Sequence, residues 1–247
     1  MDVPRGTIVN DAFLGAGLQP DEEAVSRFLL YHDLLVDRNR FVNLTAITEF
    51  PEVVVKHFLD SCMPLSDRPE LFEAKAENEP ATVVDVGTGA GFPGLPLKIM
   101  RPDIRLTLID SLRKRVDFLQ ETVEDLGLQG VECLHFRAED AGREEALREQ
   151  FDLAVSRAVA RLSILLEYVL PFVKVGGVFI AYKAGDPEEE IRDAENALRI
   201  LGGSVEKVSG FTLPGTDHRR SLIYIRKISA TPAKYPRKAG KPEKNPL

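Results

Sequence analysis

Cysteine is nearly missing from the 247 residues: only Cys62 and Cys133 occur, in unrelated contexts, so neither a disulfide framework nor a zinc cluster is suggested and no metal site is expected. Long apolar runs are missing too. With no stretch of about 18 apolar residues and no basic-plus-apolar amino terminus, the chain gives no sign of membrane insertion or secretion, and the cytoplasm is the expected compartment. Tryptophan is absent, and over most of the chain so is any excess of positive charge. A net charge of −7 argues against a protein that coats nucleic acid. The charge is uneven, however: from Asp217 to Leu247 nine Lys or Arg stand against two acids, leaving −14 on residues 1–216. A hydrophobic content of 44% supports one substantial domain with an extension.

The chain is organised around Thr82 to Gly94, Thr-Val-Val-Asp-Val-Gly-Thr-Gly-Ala-Gly-Phe-Pro-Gly. Val83, Val84 and Val86 suit a buried strand. Gly87, Gly89 and Gly91 follow at once and let the backbone approach a ligand. Pro93 stands where a first helical turn can begin. Strand, glycine turn and helix start form a crevice of the kind in which open α/β sheets bind ligands. Gly89-Ala-Gly91-Phe-Pro-Gly94 matches the dinucleotide pattern G-x-G-x-x-G, while Gly87-Thr-Gly89-Ala-Gly91 is the G-x-G-x-G of S-adenosylmethionine (AdoMet) enzymes. Asp110, ending a second apolar run about 20 residues on, can accept both ribose hydroxyls of either cofactor.

The remainder divides into three parts, 1–80, 81–228 and 229–247. Residues 1–19 carry little pattern and read as a mobile lead-in. After Asp21, a capping residue, Val25, Phe28, Leu29, His32, Leu35 and Val36 recur at helical spacing and read as core. Pro51 to Met63 reads as a second helix, carrying Lys56, His57 and Asp60; Ser66 to Pro80 reads as a connection. From Thr82, strands 82–86, 104–109, 131–136, 151–156 and 177–182 alternate with helices 93–100, 111–126, 142–149, 162–172 and 187–201. Strict alternation implies right-handed crossovers and a parallel, doubly wound sheet. Strands at about 204–209 and 221–227, joined through Thr212-Leu-Pro-Gly215, should pair antiparallel. That ending is the class I methyltransferase arrangement and favours AdoMet over a dinucleotide. Residues 229–247, with four prolines and few apolar side chains, cannot form a regular element. Tyr235 beside Arg237 and Lys238 nevertheless suits unpaired RNA, by stacking and phosphate contact.

These features resemble the RsmG (GidB) family, whose members methylate N7 of guanine 527 in the 530 loop of 16S ribosomal RNA. The resemblance runs from about residue 25 to the end. It rests on Asn43-Leu-Thr-Ala-Ile, His57-Phe-Leu-Asp-Ser, Asp85-Val-Gly-Thr-Gly-Ala-Gly-Phe-Pro-Gly, Asp110-Ser-Leu-Arg-Lys-Arg, Ser156-Arg-Ala and Tyr235-Pro-Arg-Lys-Ala-Gly-Lys-Pro. Two positions depart from it: members carry Trp-Asn where this chain has Arg38-Asn39, and Lys-Gly where it has Lys183-Ala-Gly185. The resemblance implies a Rossmann-like α/β fold with a seven-stranded, mostly parallel sheet whose last strand is antiparallel, a helical amino-terminal extension and a basic tail. It also implies an AdoMet-dependent enzyme releasing S-adenosylhomocysteine (AdoHcy), with 16S rRNA, the 30S subunit or an assembly intermediate as partner. A monomer is expected.

Guanine N7 bears a free lone pair, so its methylation needs no base and can rest on positioning and electrostatics. Signatures of other methyltransferase chemistry are missing: Ser156-Arg157-Ala158-Val159 stands where amino-directed enzymes carry Asn/Asp-Pro-Pro-Tyr/Phe, Cys133 lies in an apolar strand, and no acid stands near Ala158. Gly87, Gly89 and Gly91 are expected against the methionine part of AdoMet, Asp85 at the loop base, Asp110 on the ribose, Phe92 as a wall and Ala138-Glu139 on the adenine. Arg157, which the resemblance places in the site, is expected to face a carboxylate or phosphate. His57 is expected to help seat the guanine, and Lys183, Arg219, Arg220, Tyr235, Arg237 and Lys238 to contact RNA. Rival readings are a different methyl acceptor, a nicotinamide-dependent oxidoreductase, and a non-catalytic assembly factor with a vestigial pocket.

Overall fold

The β-branched run at Thr82–Val86 forms the central strand β1 of the computed structural model, which describes residues 3–76 and 79–247. It alternates faces as a pleated strand must: Val83 and Asp85 look toward one helical layer, Val84 and Val86 toward the other. The further strands are β2 (Arg105–Asp110), β3 (Val131–His135), β4 (Phe151–Arg157), β5 (Val173–Ala184), β6 (Gly203–Thr212) and β7 (Arg219–Lys227). Their order is β3-β2-β1-β4-β5-β7-β6, with β7 alone running against its neighbours. The connection reverses direction between β1 and β4. The crevice at their carboxyl ends is the switch point where such sheets take ligands.

One face carries α1 (Arg5–Leu14), α2 (Glu22–Val42), α3 (Phe50–Val53), a π-helical turn (Val54–Leu59), α4 (Asp60–Asp67), α5 (Gly94–Met100) and α6 (Arg113–Asp125). The other carries the single turn α7 (Ala138–Ala141), then α8 (Leu162–Val169), α9 (Glu188–Asp193) and α10 (Glu195–Leu201). A short α11 (Lys241–Lys244) follows β7. Asp21 caps α2 as expected, its side chain accepting from Ala24 N at 2.7 Å.

Four expectations are corrected. The lead-in expected over residues 1–19 carries a packed helix in its described part, residues 3–19: Val9 and Phe13, one helical turn apart, are fully buried in α1. The helix expected at 142–149 is the turn at Ala138–Ala141 followed by irregular chain, Glu149 taking φ +53°. The helix expected at 187–201 is broken at Ala194. Residues 229–247 dock against the sheet's second helical layer rather than lacking regular structure, and Tyr235 is buried there.

The helices of residues 3–67 share a single apolar cluster with the sheet. Phe13, Phe28, Phe58, Tyr31 and Phe92 form a line of ring contacts 4.9–6.2 Å apart that carries this core from α1 to the glycine loop.

Candidate functional site

The glycine loop is built by packing as much as by φ. Gly87, Gly89 and Gly91 all have positive φ, at 74°, 61° and 101°. An added Cβ at Gly91 would stand 2.5 Å from Leu95 and 2.6 Å from the Tyr31 hydroxyl, whereas at Gly89 it would meet nothing within 4 Å. The loop thus packs against protein at Gly91 and faces open space at Gly89. Asp85, fully buried beneath it, accepts from Thr88 Oγ1 at 2.7 Å and from Gly94 N at 2.8 Å, tying strand end to helix start. From the other side the Tyr31 hydroxyl donates to Ala90 O at 2.5 Å.

Asp110 ends β2 with both carboxylate oxygens oriented: Oδ2 accepts from Gly89 N at 2.9 Å and Oδ1 from Leu112 N at 2.9 Å. Each oxygen keeps further acceptor capacity. They border a cavity of about 320 Å³ lined also by Gly87, Ala138 and Glu139, within the size range of small-ligand clefts. A vicinal diol suits such a pair of acceptors. The Gly87 turn, Asp110 and the Ala138–Glu139 turn therefore fit a nucleoside ligand.

A second cavity, of about 490 Å³, adjoins the first, and Gly87, Arg115 and Ala158 line both. Ala158 takes φ +58°, a strained conformation for a residue with a Cβ, and Val159 after it lies over Gly87. His57, in the π-helical turn, stacks on Phe92 with centroids 4.6 Å apart. Phe92, expected to wall the cofactor, lines this second cavity, as does Gly89 of the glycine loop. Thr45 Oγ1 accepts from Ile47 N and donates to His57 Nε2 at 2.8 Å, leaving Nδ1–H for the Lys56 carbonyl at 3.2 Å. Burial, and then the Arg157 charge, depress the His57 pKa to about 3. The ring is neutral and both nitrogens are engaged.

Arg157 meets a carboxylate, but one from its own chain: Nη1 lies 2.9 Å from Asp60 Oδ2. Its guanidinium also lies 5.1 Å from the Phe92 ring centroid. Asp60 is 3.5 Å from Arg220 as well, so one buried acid holds two arginines at the cavity. Lys183 is not free for RNA: it pairs with Glu190 at 2.6 Å and donates to the Ala160 carbonyl at 2.9 Å. Arg219 and Lys238 are exposed. Tyr235 is 7% exposed, and Arg237 lies against the buried Glu167 at 2.6 Å, so those two RNA contacts give way to internal ones.

Sequence reasoning placed Gly87, Gly89, Asp110, Ala138, Glu139, His57 and Arg157 around the paired cavities. It missed Asp60, Tyr31 and Thr45 as partners. The available signals were His57-Phe-Leu-Asp60, which sets Asp60 three residues from His57, and Asn43-Leu-Thr-Ala-Ile, which contains Thr45.

Burial gives two titrations of opposite sign. Asp85 is raised from an ordinary 3.8 to about 7, so the folded state keeps a proton that the unfolded chain loses, and its contribution to stability falls as pH rises through that window. His57 is lowered from 6.5 to about 3, so the unfolded chain binds the extra proton and stability falls as pH drops from 6.5 toward 3. Each slope is about 1.4 kcal/mol per pH unit, and between about pH 4 and 6.5 they oppose each other. Relative to the parent, His57→Phe should show stability that falls more steeply with rising pH, and Asp85→Asn stability that rises. Urea denaturation at a series of pH values reads both.

Residues 24–222 match the model of the GidB family, described as rRNA small subunit methyltransferase G. A protein of that name from Alkaliphilus metalliredigens is 50% identical, covering 97% of this chain and 98% of its own. Another from Lactobacillus johnsonii is 51% identical, covering 94% and 95%. Among solved structures, the YcgJ protein of Bacillus subtilis superposes with a TM-score of 0.50 at 14% identity, covering 67% of this chain and 98% of that one. A ribosomal protein L11 methylase from Lactobacillus delbrueckii subsp. bulgaricus does so with a TM-score of 0.50 at 15% identity, covering 70% and 79%.

Proposed function

The chain belongs to the GidB family, rRNA small subunit methyltransferase G, and from that premise we propose that it methylates N7 of guanine 527 in the 530 loop of 16S rRNA. It is an AdoMet-dependent methyltransferase of small-subunit rRNA. AdoMet, when bound, supplies an electrophilic methyl group on a sulfonium. Asp110 would hold its ribose, Gly87 and Gly89 its methionine part, and Ala138 with Glu139 its adenine; Gly91, packed against Leu95 and Tyr31, would shape the loop rather than touch the ligand.

The observation carrying the N7 assignment is the state of His57. A base that must remove a proton from its substrate needs a free nitrogen, and both of this ring's nitrogens are engaged. The Asp60 carboxylate is paired with Arg157 through Oδ2, and Arg220 lies 3.5 Å from its Oδ1. A cavity so furnished suits a nucleophile whose lone pair is already free. His57 on Phe92 forms an aromatic floor for the base, and the Asp60 charge offsets Arg157 where positive charge passes to the guanine.

We place this work in the cytoplasm, by a monomer, on the 30S subunit or an assembly intermediate; none of the described helices is long and apolar enough to cross a membrane. The exposed Arg219 is assigned to RNA phosphate. Arg219→Ala should weaken RNA binding and lower the slope of log affinity against log salt by about 0.7, the value for one single-strand contact.

The deciding experiment incubates the protein with labelled AdoMet and small subunits lacking the modification, then cleaves with borohydride and aniline. Scission at guanine 527 is expected. Incorporation without scission there would remove the N7 assignment, and no incorporation, even with assembly intermediates, would favour a binding factor.

A further inference from the structure

We infer that the carboxy-terminal segment, expected to grip RNA, is a wall of the nucleoside cavity, and that its docking and AdoMet binding are one coupled equilibrium with Arg237 as positioning residue. The inference rests on the assignment of the 320 Å³ cavity to the adenosine part of AdoMet.

The segment is fastened stepwise. Thr231 N donates to Glu149 Oε1 at 2.8 Å, and its hydroxyl bonds Lys227 and the Leu201 carbonyl. Arg148 donates to the Thr231 and Tyr235 carbonyls at 2.7 and 2.9 Å. The next clamp is Arg237. Its backbone N–H, Nε and Nη2 all bond the carboxylate of Glu167, which is 1% exposed.

Beyond that clamp the chain turns into the cavity wall. Gly240 and Glu243 line it. Gly240 N donates to Glu139 Oε1 at 3.1 Å, and the Tyr168 hydroxyl donates to Glu243 Oε1 at 3.3 Å. Glu139 is one of the two residues assigned to adenine, so the segment is bonded directly to the turn that would meet the adenine. Glu167 and Tyr168 are neighbours on α8: one anchors the segment, the other stands at the cavity.

Past Arg237 the segment's apolar contacts are few, Pro242 being buried and Leu247 partly buried against the second helical layer's cluster, while Lys238, Lys241 and Lys244 are exposed. Such an element opens locally at small free-energy cost. A ligand that touches only its docked form must favour docking, and docking must favour the ligand by the same factor.

The test uses the whole chain. Trypsin cleavage after Lys238 proceeds from the open state, so AdoHcy at about 100 times its Kd should slow it at least tenfold, while 530-loop RNA alone should not. In calorimetry Arg237→Ala should bind AdoHcy at least tenfold more weakly while still melting cooperatively, and Glu167→Arg with Arg237→Glu should restore part of the loss. Cleavage unchanged by AdoHcy that the protein demonstrably binds, or protection by RNA alone, would overturn the inference. A parent chain that binds no AdoHcy would instead remove the cavity assignment beneath it.

Discussion

Replacing Arg157 with alanine is expected to abolish methyl transfer and also to destabilise the fold by about 3 kcal/mol. The second effect comes from the partner left behind. Asp60 is 3% exposed, and truncating one member of a buried ion pair strands the other charge at a cost of about 3–5 kcal/mol. Arg220, 3.5 Å from Asp60, keeps the loss near the lower end. The double variant Arg157→Ala with Asp60→Asn removes the stranded charge and should recover most of the stability without recovering activity. Denaturant melts and single-turnover methylation separate the two effects. Activity returning with stability would make Arg157 a structural residue only.

The second large effect is at Gly91. Alanine there must hold φ near +101° and place its methyl 2.5 Å from Leu95 Cδ1 and 2.6 Å from the Tyr31 hydroxyl. Unfavourable backbone and overpacking together should remove about 3–4 kcal/mol, and displacing Tyr31 releases its bond to Ala90 O. Gly89→Ala provides the contrast. Its φ of +61° costs about 1–2 kcal/mol, and beyond its chain neighbours its methyl meets nothing within 4 Å among the described residues. The fold should survive while AdoHcy affinity drops at least tenfold, because the methyl enters space assigned to the ligand. Parent-like AdoHcy binding by Gly89→Ala would show that the ligand does not approach there.

The central strand, the glycine loop and Asp110 were legible because local rules act over a few residues: β-branched residues extend, glycines turn, and a carboxylate ends the next strand. The antiparallel ending was legible from one turn signal between two apolar runs. Asp60 as the partner of Arg157 was not, since 97 residues separate them and only the folded crevice joins them. Tyr31 was hidden differently. It lies on the buried stripe of α2, where apolar periodicity explains a ring without revealing that its hydroxyl reaches Ala90. The carboxy-terminal segment misled because composition counts a segment's own side chains, whereas its order comes from Glu149, Arg148 and Glu167, which supply partners for its polar groups. Phe92 sits beside the glycines in sequence, but its ring turns toward His57 and so belongs to the neighbouring cavity.

The placement of β7 between β5 and β6 sets a timing problem during synthesis. β5 and β6 are made first yet are not neighbours in the sheet, so β5 must wait for a strand that begins 35 residues after it ends. At about 5–20 residues per second the wait is about 2–7 s. Throughout it the long edge of β5 carries unpaired amides and carbonyls beside Phe179 and Ile180, which become fully buried only later. Aggregation of this chain should therefore depend on how fast translation runs from Ala184 to Lys227, and synonymous slowing confined to that interval should lower soluble yield without altering the stability of the purified protein.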